Sequence, residues 1–192
     1  EQLQWFDNKP LFGKTIVVTR ARAQASALTK QLEAAGARVI EAPAIKIVPP
    51  EDYTPLDKAI ENIKTYKWLV LTSANGVTAF FDRLDNAGLD SRSLSELKIA
   101  AIGSETAKAL KNYGITADIV PPAFKAEELA ESLASELSVG DKVLLARARV
   151  AREVLPESLR ALGASVDVVT AYETIAALEN REELLAALQN GE

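Results

Sequence analysis

The chain is 192 residues long, 48% apolar, and carries a formal net charge of −5. That length and apolar share allow a buried core in one domain or two small ones. The acid excess, with no basic run, argues against nucleic acid as a partner. Histidine and cysteine are absent, which excludes disulfides, thiolate chemistry and any triad built on His. A metal site would have to be all oxygen, and no acidic cluster has the spacing for one, so no metal is expected. No apolar stretch is long enough to cross a membrane as a helix. No secretory signal is read before the first strand. Methionine is absent and the chain starts at Glu1, which reads as a piece of a longer polypeptide.

Residues 1–11 form a leader in which Trp5 and Phe6 are expected to dock on the domain, while Asn8-Lys9-Pro10 stops any helix. A strand at 14–18 feeds Thr19-Arg20-Ala21-Arg22 and a helix over 23–35; Gly36 then opens a strand at 37–41. Residues 42–50 alternate in character between prolines and read as a connecting strand, followed by a helix over 55–63. The stretch 66–81 shows the design in compact form. A buried strand, Trp68-Leu69-Val70-Leu71, meets the polar turn Thr72-Ser73-Ala74-Asn75-Gly76 and then a helix.

The pattern recurs. A strand at 98–102 leads through Gly103-Ser104-Glu105-Thr106 into a helix, and after Gly114 strands are expected at 115–117 and at 118–120, before Pro121-Pro122. Leu129, Leu133 and Leu137 give residues 126–137 one apolar helical face. A strand at 142–145 turns through Ala146-Arg147-Ala148-Arg149 into a helix; Gly163 opens a strand at 164–166, and an extended β-branched segment runs over 166–174. The last helix spans 181–189. Glycines 36, 114 and 163 stand where a helix C-cap favours positive φ.

Repeated βαβ units mean parallel sheet, whose ligands sit at the carboxyl ends of the strands. There the turns offer hydroxyls and helix-start N–H groups suited to an anion: Thr19, Thr72, Ser73, Asn75, Gly103, Ser104 and Thr106. Arginines stand at the same ends: Arg20, Arg22, Arg147, Arg149 and Arg152. Plainer roles fit the same residues. Thr72, Ser73 and Thr106 are good helix caps, the arginines could be solvated turn charges, Gly103 suits any turn, and Lys125 and Glu127 read as a solvated turn and a first-turn helix acid.

In order and spacing these motifs resemble uroporphyrinogen-III synthase. The resemblance rests on Val18-Thr19-Arg20, Leu71-Thr72-Ser73-Ala74-Asn75-Gly76-Val77, Ala101-Ile102-Gly103-Ser104-Glu105-Thr106-Ala107, Ala126-Glu127-Glu128-Leu129, Leu145-Ala146-Arg147 with Arg152-Glu153, and Ala171-Tyr172-Glu173-Thr174. The leader is similar to the linker of proteins that fuse this synthase behind a uroporphyrinogen-III C-methyltransferase. The resemblance implies two parallel-sheet, flavodoxin-like α/β domains joined by a two-stranded ladder. On that plan residues 1–12 are leader, 13–41 with 172–192 a discontinuous and incomplete first domain, 42–48 and 166–172 the connecting strands, and 49–166 the second domain.

It also implies that hydroxymethylbilane, a linear tetrapyrrole, is closed with inversion of its last ring and loss of water, without cofactor or metal. Arg20, Arg147, Arg152 and the turn donors would then hold its carboxylates, and Tyr172 would assist departure of water. A phenol is a weak acid at neutral pH, so that role is to orient and assist rather than to drive. The family continues beyond the strand that holds Tyr172, so a chain ending at Glu192 is expected to be truncated and inactive alone. The rival readings are a two-lobed module binding small anions and a regulatory domain.

Overall fold

A computed structural model of the chain describes residues 9–20, 22–123, 125–177 and 181–189. The expected docking of Trp5 and Phe6 lies outside the described residues. The protein is α/β and divides into two compact units, one running to Ile47 and resuming at Thr174, the other Val48–Glu173.

In the smaller unit, β1 (Thr15–Val18) and β2 (Arg38–Glu41) pair in parallel, Thr15 opposite Arg38, joined by α1 (Arg22–Ala34). Gly36 makes the turn between α1 and β2 at φ +99°, and a Cβ there would stand 2.8 Å from the Lys9 Cβ, so only glycine fits. Burial is thin: Val18 and Ile40 are buried, but Val17 is 37% exposed. Beyond β1, Ala42 N–H donates to Val18 C=O and Ala44 N–H to Thr19 C=O, each at 3.0 Å. The unit ends in α7 (Arg181–Gln189).

A five-stranded sheet runs in the order β3-β7-β6-β4-β5: β3 (Ile45–Val48), β4 (Trp68–Leu71), β5 (Lys98–Ala101), β6 (Lys142–Ala148) and β7 (Ser165–Ala176). In the larger unit β4 is an inner strand, parallel to both β5 and β6, with Leu69 opposite Ile99 and Leu144. All four β4 residues are buried. This is the continuous apolar run that a strand covered on both faces requires, and each buried leucine contributes about 2 kcal/mol. On one face Trp68, Val70, Val143 and Leu145 pack with Leu129 and Leu133 of α5 (Ala126–Ala134) and Leu155 and Leu159 of α6 (Val154–Ala161). The remaining helices are α2 (Thr54–Glu61), α3 (Ala74–Asn86) and α4 (Ser104–Lys111).

Three local expectations are corrected. Residues 115–120 form no strand; a single parallel bridge joins Ile119 to Ala100. The Asp118 carboxylate takes the Ile99 N–H at 2.7 Å, the donor a longer ladder would use, and Pro121-Pro122 can donate nothing. The helix expected over 126–137 ends at Ala134, where Glu136 and Leu137 both turn back to the Leu133 carbonyl. The strand β6 does not stop at 145. It pairs with β7 up to Ala148 opposite Tyr172, and α6 begins only at Val154. The same register makes 165–172 a full member of the larger unit's sheet.

Candidate functional site

The carboxyl ends of β4, β6 and β7 bring one group of residues together within the larger unit. Ser73 ends the β4 turn in extended backbone, φ −158°, and its Oγ accepts the Gly76 N–H at 3.0 Å, capping α3. That oxygen also lies 2.9 Å from the Tyr172 hydroxyl. Tyr172 comes late in β7 and is 9% exposed. Gly76 lies beside both: a Cβ there would stand 3.2 Å from Ser73 Oγ, a tight approach, and 3.8 Å from Tyr172 Cε1, an ordinary contact. Sequence reasoning takes Gly76 as part of a turn and misses this contact; a glycine inside a helical pattern is the available signal.

The β6–α6 turn is built differently. Arg147 is buried at 7% exposure; its Nη1 donates to the Arg152 carbonyl at 2.8 Å and its Nη2 pairs with Glu153. The guanidinium thus ties down the turn that follows it. Arg149 Nη1 donates to Glu173 Oε1 at 3.0 Å, and this bond, first among its causes, raises the arginine's pKa from its ordinary value. Arg152 Nη1 stands 3.6 Å from Glu127 Oε1 with its own side chain 71% exposed. Each of these arginines holds a glutamate. From the sequence, Glu153 and Glu173 are motif residues without a role, and Glu127 is only a helix-start acid.

At the end of β5, Gly103 caps α4 with φ +84°. Thr106 is 3% exposed and its hydroxyl donates to the Ile102 carbonyl at 2.7 Å. It therefore ties the helix back to the strand end, rather than capping a helix N–H. Ser104 is exposed; Thr72 and Asn75 are half-buried in the β4 turn. Thr19 and Arg20 belong to the smaller unit, where both are exposed. Among the described residues no group of three His, Cys, Asp or Glu could hold a metal ion, and no helix is long and apolar enough to cross a membrane.

Comparison with known proteins gives a consistent result. The family model described as uroporphyrinogen-III synthase HemD matches residues 26–192. A porphyrin biosynthesis protein HemD of Ruminiclostridium josui is 38% identical over 192 residues, covering 100% of this chain and 38% of that protein. A uroporphyrinogen-III synthase of Synechococcus elongatus is 40% identical over 184 residues, covering 94% of this chain and 68% of the relative. Among solved structures, a mutant uroporphyrinogen III synthase of Thermus thermophilus aligns with TM-score 0.65 at 19% identity, over 94% of this chain and 70% of that one; this similarity concerns the fold.

Proposed function

The chain belongs to the uroporphyrinogen-III synthase family, and we propose that it serves the closure of hydroxymethylbilane, with inversion of the last pyrrole ring and loss of water. The observation that carries this reading is the Ser73–Tyr172 hydroxyl pair, 2.9 Å apart at the carboxyl ends of β4 and β7. Such ends are where parallel sheets receive ligands. The substrate is a polycarboxylate, while the chain's net charge is −5, so attraction has to come from local donors rather than from the overall field. The candidates within the larger unit are Thr72, Asn75, Gly103 and Ser104 at the turns.

The arginines divide by exposure. Arg149 and Arg152 have side chains 57% and 71% exposed and can exchange glutamate partners for substrate carboxylates. The buried Arg147 holds the shape of the turn from which they project. Tyr172 is then the proton donor to the departing hydroxyl. The reading extends to a cytoplasmic setting and to a uroporphyrinogen-III C-methyltransferase domain as covalent partner, in keeping with a 118-residue stretch that is 26% identical to a uroporphyrinogen-III C-methyltransferase of Bacillus subtilis.

The test is incubation of the whole protein with hydroxymethylbilane and separation of the isomers formed. Spontaneous closure yields the non-inverted isomer. Accelerated formation of the inverted isomer is expected; binding of the tetrapyrrole with only the spontaneous product would assign the chain to the anion-binding class instead.

A further inference from the structure

We propose that Ser73 is the positioning residue of Tyr172: its oxygen is held by the Gly76 N–H, and its one proton secures the Tyr172 oxygen after that phenol has given its own proton away. The proposal rests on the reading that Tyr172 protonates the leaving hydroxyl. It assigns Ser73 to the tyrosine rather than to the ligand.

Two observations carry it. Ser73 Oγ lies 3.0 Å from Gly76 N and 2.9 Å from Tyr172 OH. A hydroxyl has one proton and two lone pairs; the cap takes one lone pair, which leaves the proton and the other lone pair for Tyr172. Accepting the backbone N–H also polarises the serine O–H and makes it a better donor. Second, the Tyr172 ring lies against the first turn of α3, as its Cε1 would be 3.8 Å from a Cβ on Gly76. That turn is the positive end of a 13-residue helix, which favours a negative charge on a neighbouring oxygen.

The step then balances as follows. The C–O bond of the terminal hydroxymethyl group breaks, both electrons leave on oxygen, and the Tyr172 proton completes the departing water. The positive charge left on carbon spreads into its pyrrole ring, while the negative charge stays on the Tyr172 oxygen. The Ser73 O–H now donates to that phenolate, a charge-assisted bond stronger than the neutral one it replaces. The substituted α-carbon of the last pyrrole ring attacks that cation to give a spiro intermediate. Its older bond to the bridging carbon then breaks, leaving the positive charge on that bridge. The last ring's unsubstituted α-carbon closes onto the bridge and loses its proton to restore the aromatic ring, and that proton returns to Tyr172.

Three substitutions of Ser73 in the whole protein, each tested with hydroxymethylbilane, separate capping from positioning. Gly caps nearly as well as Ser, so Ser73→Gly should keep the melting temperature and lower kcat about tenfold, the worth of one bond to a charged group. Asp also caps well but offers no proton when ionised, so Ser73→Asp should lower kcat about a hundredfold. Ser73→Thr, which retains both cap and proton, should recover most of the activity. In a Tyr172→Phe background Ser73→Gly should cause no further loss. Ser73→Asp as active as Ser73→Thr would overturn the proposal, as would an undiminished effect of Ser73→Gly in the Phe background. An unchanged kcat in Tyr172→Phe alone would instead remove the reading beneath it, and the proposal with it.

Discussion

Tyr66 and Tyr172 sit at opposite ends of the same parallel strands and differ in what their hydroxyls meet. Tyr66 precedes β4 and donates to Asp167 Oδ2 at 2.7 Å, near the start of β7. Burial above all, then this hydrogen bond and the Asp167 charge, push its phenol well above the ordinary range. Tyr172 meets the neutral hydroxyl of Ser73 at 2.9 Å. An ionised carboxylate can only accept, so it locks a phenol in its protonated form; a serine can accept or donate. On the proposed function, one residue type therefore serves as a strut at the amino end of the sheet and as a proton donor at the carboxyl end.

The harshest way to break this contrast is to dismantle one end only. Arg147 ties Arg152 and Glu153 across the β6–α6 turn, and just beyond it Arg149 N–H donates to the Tyr172 carbonyl at 3.0 Å. Arg147→Ala removes a buried guanidinium and strands a carbonyl. Glu153 has a side chain 57% exposed and resolvates, so the expected loss is about 2 kcal/mol, below that for a fully buried pair. Urea denaturation measures it. In hydrogen exchange the Arg149 amide should lose protection while the Ser165 amide, on the Asp141 carbonyl at the far end, keeps it. Equal loss at both ends would mean that the sheet responds as one body.

Removing single hydroxyls sharpens the comparison. Tyr172→Phe should lower kcat more than tenfold, about 1.4 kcal/mol of barrier, while Tyr66→Phe leaves kcat as it was. The stability effect runs the other way. Tyr66→Phe deprives Asp167 of its donor at a largely buried phenol and should cost about 1 kcal/mol. A kcat loss of equal size in both variants would show that packing, not proton transfer, sets the effect.

What the sequence could reveal of this arrangement depended on how far each signal is local. The strand Trp68–Leu71 and its polar turn were legible because apolar run, turn chemistry and helix start are all adjacent. The length of β6 was not, because pairing with β7 through Ala148 is decided by a strand that comes later in the chain. Had β6 been read to its end, the period of two along the strand would have put Arg147 on the face of Val143 and Leu145, hence buried. Residues 115–120 misled for a related reason: the β-branched run is genuine, but the Asp118 side chain occupies the Ile99 N–H. Ser73 and Tyr172 each stand in a local motif, yet their contact joins positions 99 apart, a distance no local pattern reports.

The smallest effect is expected in alkaline solution and concerns Tyr66 alone. In the unfolded chain its phenol titrates near 10; in the folded chain burial, then the Asp167 bond and charge, hold the proton to higher pH. Below the unfolded value both states keep the proton and the Tyr66 contribution to stability is complete. As pH rises past that value the unfolded state loses its proton first and is favoured, so the contribution declines until the folded phenol also titrates. Denaturation midpoints followed from about pH 8 to about pH 11 should therefore fall more steeply in the wild type than in Tyr66→Phe. Equal slopes would show that neither burial nor Asp167 holds this proton, and the contrast between the two tyrosines would lose its firmer half.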